Sequence, residues 1–139
     1  MREILFRGKA TSPLRDGEWV YGSLLAESEN TFPIIAQSYD NDEDWIAIDG
    51  WSTVDAKTVG QYTGLTDKND KKIFEGDIVD CWSEGINAQG EVQQRRDGLW
   101  IIYPAWKKHI MWGLCPDEYS NTTVEVIGNI HDNPELIKA

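Results

Sequence analysis

The sequence predicts an all-β protein, and three observations point there. Apolar residues alternate or cluster in short runs of Val, Ile, Trp and Tyr bounded by Gly, Asn and Asp, which is strand patterning. No long window sustains an i, i+3, i+4 apolar stripe, so a helix would have no face to bury. One hairpin is written out in full: Glu91–Arg96, then Asp97-Gly98, then Leu99–Tyr103. Asp-Gly accepts the two positive φ angles of a type I′ turn.

In chain order, the predicted strands begin with Glu3–Arg7, built around Ile4-Leu5-Phe6, and Glu18–Leu25, which follows the turn residue Gly17. Phe32–Gln37 and Asp44–Asp49 carry short apolar runs on either side of the acidic segment Asp40-Asn41-Asp42-Glu43-Asp44, and Thr58–Tyr62 precedes Gly64. Asp77–Trp82 alternates, with Val79 and Cys81 on one face and Ile78, Asp80 and Trp82 on the other. Gly90–Arg96 and Leu99–Tyr103 form the hairpin, and Ile110–Leu114 and Thr122–Gly128 complete the set. At the end, Asn133 reads as an N-cap and Pro134 as the first residue of one helical turn.

The 139 residues carry 13 Lys+Arg against 24 Asp+Glu, a net charge of −11, so the mean field repels duplex DNA and anionic lipid. With 40% apolar and 27% charged residues the chain is too hydrophobic for disorder and too interrupted for a membrane span. The acidity is diffuse: residues 1–64 hold 5 basic and 11 acidic side chains, and residues 65–139 hold 8 and 13. The amino terminus lacks the apolar run of a secretory signal. Cys81 and Cys115 have no CxxC partner, which fits two free thiols in a reducing cytoplasm, and Asn121-Thr122-Thr123 is then a chance sequon.

The stretch from Gln61 to Val79, QYTGLTDKNDKKIFEGDIV, resembles the hallmark segment of the YopX family of bacteriophage and prophage proteins. The opening Arg2–Lys9 with Gly17–Gly22, and the closing Val126–Leu136, resemble that family's end blocks in the same order. The resemblance implies two small β-barrels, residues 1–64 and 65–139, the second SH3-like, encoded by phage or prophage and without an established activity. Its motif residues here are Gly64, Leu65, Asp67, Asn69, Gly76, Asp77 and Val79, expected to form a structural turn and the entry to the second barrel. The family usually has Gly where this chain has Asp70. Read as residues, Lys68-Asn69-Asp70-Lys71 is a tight polar turn, with Asn69-Asp70 at the two central positions of a type I′ hairpin.

Chemistry-bearing motifs fail one by one. Counted as a calcium loop, Asp40–Asp44 would need Gly at the sixth place and Glu at the twelfth, where Trp45 and Trp51 stand, so it reads as a solvated acidic loop. His109, His131, Cys81 and Cys115 are scattered at spacings unlike a zinc signature. No motif supports a Cys81 or Cys115 nucleophile with His109, and Cys81 reads as core volume. There is no GxGxxG or Walker pattern, and with so many carboxylates any pair could be nominated for acid–base work.

Trp82, Trp100, Tyr103, Trp106 and Trp112 fall in the second half, beside the basic pairs Arg95-Arg96 and Lys107-Lys108. Large side chains fill small barrels, yet aromatic and basic clusters can also hold a ligand by stacking and charge. Trp100, Trp106, Lys107, Lys108 and Trp112 are therefore the candidate partner surface. The expectation is a non-enzymatic protein-binding or self-assembling module, a homo-oligomer without metal or cofactor. The alternative is a nucleic-acid-directed factor, either a single-strand binder or an acidic DNA mimic acting on a host DNA-binding protein. Lys68, Lys71 and Lys72 interrupt the acids Asp67, Asp70 and Glu75 and so weaken mimicry.

Overall fold

The computed structural model describes residues 4–13, 15–25, 33–41, 46–83, 86–106, 110–114 and 122–137. These are strands with two single turns of 3-10 helix, at Ala56–Thr58 and Pro134–Ile137, the second being the expected C-terminal turn. The strands, in chain order, are β1 Phe6–Lys9, β2 Trp19–Leu25, β3 Ile34–Asn41, β4 Ile46–Thr53, β5 Gly60–Thr66, β6 Lys72–Phe74, β7 Asp77–Ser83, β8 Ile86–Gln94, β9 Trp100–Trp106, β10 Ile110–Gly113 and β11 Glu125–Asn129. Two antiparallel sheets result, ordered β4-β3-β2-β1-β5-β6 and β10-β9-β8-β7-β11. The chain divides into two compact units, Met1–Gln61 and Tyr62–Ala139, with β5 running from one into the other.

In the first unit β1 to β4 form a meander whose inner residues, Ala10, Val20, Ile35 and Val54, make a small core with Leu24 and Val59 against it. Past its end, β1 meets the end of β4: Ala10 bridges Val54, Thr11 N donates to Thr53 O (2.9 Å), and Asp55 N donates to Lys9 O (2.9 Å). Gly22 is fixed by close approach, since a Cβ there would lie 2.0 Å from the Ala36 carbonyl oxygen.

In the second unit β7 to β10 form a meander and β11 returns to pair with β7. Its core is Ile73, Val79, Cys81, Val92, Trp100, Ile102, Leu114 and Val124, with Leu65 and Val126 packed against it. Val79 and Cys81 share this core as the alternation predicts, while Ile78 is also fully buried, so β7 is covered on both faces.

The structure amends the sequence reading at β6 and at both tight turns. β6 is a strand where none was predicted, because its three residues are too few to show a period. Among the described residues no ladder closes either sheet into a barrel; β4, β6, β10 and β11 are edges. Neither tight turn is type I′. Gly98 N donates to Arg95 O (2.9 Å) and Arg95 N to Leu99 O (2.8 Å), and only Gly98, at φ 91°, is left-handed. The loop therefore has three residues, Arg96-Asp97-Gly98, the last in the left-handed position that completes a type I turn. Lys68-Asn69-Asp70 repeats this geometry: Asp70 N donates to Asp67 O (3.0 Å), Asp67 N to Lys71 O (2.8 Å), and Asp70 alone is left-handed, at φ 63°.

Candidate functional site

The hallmark segment is a fastening. Gly64, at φ 84°, sits where the β5–β6 register shifts, and Thr63 Oγ1 beside it donates to Ile73 O (2.8 Å). Leu65 then packs on the second core. The Asp67 side chain is buried, and its carboxylate is met by three backbone amides: Oδ1 accepts from Asn69 N (2.8 Å) and Lys71 N (2.9 Å), and Oδ2 accepts from Val126 N (3.0 Å). Around it Lys68 N donates to Val124 O (2.9 Å), and Thr122 donates to Thr66 O through both its amide (2.8 Å) and its hydroxyl (2.9 Å). Asn69 Nδ2 adds a bond to Glu125 Oε2 (3.2 Å). One carboxylate thus closes the β5–β6 turn and ties it to β11.

Ten residues on, the motif repeats the device. Gly76 takes the left-handed backbone of the bend at φ 90°, and buried Asp77 Oδ2 accepts from Phe74 N (2.8 Å). Gly76 N donates to Val92 O (2.9 Å) and Gly76 O accepts from Ile130 N (3.0 Å), so the bend is held to β8 and to the closing block. Val79 follows into the core, fully buried. The closing block is self-capped: Asn129 Oδ1 accepts from His131 N (3.0 Å) and Asp132 N (2.9 Å), and Asn133 Oδ1 lies where any Cβ on Gly128 would fall.

Of the expected partner surface, Trp100 is the residue whose side chain the structure describes. Trp100 is 8% exposed and belongs to the second core, which leaves its ring no face to offer. Lys107 and Lys108 lie outside the described residues, as do His109 and Cys115; Trp106 and Trp112 are described by their backbone, in β9 and β10. Of the acidic segment, Asp40 and Asn41 end β3, and residues 42–44 lie outside the described residues. Cys81 is buried, and burial first, then the neighbouring Asp80 charge, pushes its thiol up to about 11, which suppresses the nucleophilic thiolate. Burial, with a smaller contribution from Glu75, raises the Glu91 carboxyl above its ordinary value against the lowering bond from Gln93.

What the sequence reading missed is in the first unit. Register places Arg7 beside Tyr21, Lys9 beside Trp19, and Ser23, Ala36 and Trp51 in one row, all on the face opposite the core residues Val20 and Ile35. The Arg7 guanidinium carbon lies 4.6 Å and the Lys9 ammonium 5.6 Å from the Trp19 ring centroid, within cation–π range. On this face Trp51 is 56% exposed, Tyr21 46% and Leu25 38%. The signal that could have found it is the Trp19, Tyr21, Ser23, Leu25 series on β2.

The sequence model of the family described as YopX protein matches residues 6–138. Among solved structures, the fold is similar to the crystal structure of protein EF1440 from Enterococcus faecalis, with a TM-score of 0.55 and 23% identity over 99% of this chain and 100% of that chain. No curated protein matches the sequence.

Proposed function

The chain belongs to the YopX protein family, and on that premise we propose that it is a phage- or prophage-encoded, non-enzymatic protein-binding or self-assembling module of the bacterial cytoplasm. The observation that carries this reading is where the family's hallmark side chains go. Asp67 and Asp77, the carboxylates a catalytic reading would choose, accept from backbone amides at 2.8–3.0 Å and are buried. A carboxylate saturated by buried amides holds structure; to act as a base it would have to break the fold that keeps it. The exposed rings of Trp51 and Tyr21, by contrast, have the area and stiffness that interfaces use.

Two small barrels, the second SH3-like, fit the same reading. The β7–β10 meander with β11 returning beside β7 is a connectivity from which a five-stranded barrel closes, and the Ala10–Val54 bridge draws the first meander together. The nucleic-acid-directed alternative has one observation in its favour, the two cations over Trp19, and the −11 net charge against it.

Affinity capture with the wild-type chain and with Trp51→Ser as paired baits tests the proposal. The expected result is a stoichiometric protein, a second copy or another chain, that the variant recovers poorly. Purification with no stoichiometric protein under any condition would overturn it.

A further inference from the structure

We propose that Asp16 is a site of spontaneous covalent modification, its side chain cyclising onto the Gly17 amide and reopening as isoaspartate, while the fold protects the same dipeptide at Asp97-Gly98. The chain contains three Asp-Gly pairs: Asp16-Gly17, Asp49-Gly50 and Asp97-Gly98. Glycine is the neighbour that shields the reacting carboxyl least and leaves the backbone freest to bend onto it. Asp49-Gly50 lies within β4, where Gly50 pairs with Ser38 and the ladder keeps the backbone extended. The other two pairs stand in exposed turns and match closely. Gly17 and Gly98 are left-handed, at φ 85° and 91°, with open space where a Cβ would be. Each amide donates at 2.9 Å to a backbone carbonyl, Gly17 N to Ala10 O and Gly98 N to Arg95 O. Crowding and amide bonding therefore do not separate them.

The carboxyls do. In the reaction the Gly17 nitrogen attacks Asp16 Cγ, a Cγ–O bond breaks and that oxygen leaves as water, which requires a carboxyl that is protonated and free to turn. Water then opens the five-membered imide. Cleavage at Cγ restores aspartate, and cleavage at the main-chain carbonyl leaves the chain running through Cβ and Cγ, with no net gain or loss of atoms. Asp97 is withheld from this course. Its Oδ1 accepts from Leu99 N (3.2 Å) and Arg95 Nε (3.2 Å), and its Oδ2 accepts from Arg95 Nη2. Those Arg95 bonds first, then the Leu99 amide, hold its carboxyl below the ordinary value and so keep it ionised. The Asp16 side chain is exposed and makes no hydrogen bond or ion pair among the described residues. Isoaspartate there adds a methylene to the main chain just before the Gly17–Ala10 bond, within the turn that Glu18 N closes on Arg15 O (2.9 Å), and so loosens the entry to β2.

The test is to age the whole chain at mildly acidic pH, folded and in concentrated urea, and to map it with an endoproteinase that cuts before aspartate but not before isoaspartate. In the folded protein, cleavage before residue 16 should be lost roughly fivefold faster than cleavage before residue 97, the scale set by an exposed ion pair. In urea the two rates should converge, because the sequence alone offers both aspartates the same glycine. Arg95→Ala removes an exposed side chain, and circular dichroism checks that the fold is kept. It should speed the loss at residue 97 toward the rate at residue 16 and leave residue 16 as it was. The comparison of folded and unfolded wild type stands without that variant. Equal rates in the folded protein, a faster loss at residue 97, a difference that persists undiminished in urea, or a folded Arg95→Ala chain with an unchanged rate at residue 97 would each overturn the proposal.

Discussion

Asp70→Gly should stabilise the protein, and the turn geometry fixes both the sign and its control. Asp70 holds φ at 63°, the sole left-handed non-glycine among the described residues, in the loop position that Gly98 fills in the other hairpin. Left-handed backbone costs a non-glycine residue roughly 1–2 kcal/mol, less for Asp, whose short side chain bonds locally. Glycine relieves that strain and returns part of the gain as added freedom in the unfolded chain, about 0.4–1 kcal/mol. The net is a stabilisation of about 0.5–1 kcal/mol, read as a urea midpoint raised by roughly 0.3–0.5 M for a slope near 2 kcal/mol per M. Asn69→Gly supplies the control. Asn69 has negative φ and bonds Glu125 (3.2 Å), so glycine there should lower the midpoint. In a two-residue type I′ turn both substitutions would stabilise. A midpoint that falls with Asp70→Gly, or rises with Asn69→Gly, would refute the three-residue loop.

Gly22→Ala should destabilise the first unit by about 2–3 kcal/mol or more, because its Cβ would lie 2.0 Å from backbone that cannot swing away; thermal melting reads it. In a Cys115→Ser background, native Cys81 should react with iodoacetamide at pH 8 roughly 100-fold more slowly than a free thiol, since a pKa of about 11 leaves little thiolate, and denaturant should restore the rate. Glu91→Gln should raise stability at pH 7. Folding lifts the Glu91 pKa, so its charged form is the penalised one; the gain should fade as pH falls from the raised folded-state pKa to the ordinary carboxylate value, below which Glu91 is protonated in both states.

Legibility in the sequence followed the range of the interactions. Strands were readable where a strand-forming run lies between turn residues, as in β7, expected over Asp77–Trp82 and found over Asp77–Ser83, whereas of β8 the expected Gly90–Arg96 caught only the second half. β6 was not, being three residues long, and neither was the outward side of β2, whose two faces are both apolar: Val20 and Leu24 on one, Trp19, Tyr21 and Leu25 on the other. Which of them meets solvent depends on pairing with β1 and β3. Trp100 begins a run, Trp100-Ile101-Ile102, that is buried throughout, so an aromatic read as surface became core. The Asp-Gly dipeptide located its hairpin correctly but not its loop length, since glycine serves the left-handed place of either turn. The motif glycines and acids were recognisable as a turn, whereas the reason for Asp67 was hidden because one of its three amide donors, Val126, lies 59 residues away.

The central claim is that the hallmark carboxylates are architecture and that the recognition surface lies elsewhere. Asp67→Asn tests it, keeping an oxygen for Asn69 and Lys71 while turning an N–H toward the Val126 amide. Losing a charged bond and burying opposed donors should cost about 2–4 kcal/mol. The decisive measurement is the denaturant midpoint and the association constant taken on the same Asp67→Asn sample under conditions where it is folded. The account predicts a lowered midpoint with association per folded molecule unchanged, and the reverse pattern for Trp51→Lys. An Asp67→Asn protein that keeps the wild-type midpoint and loses association would contradict it.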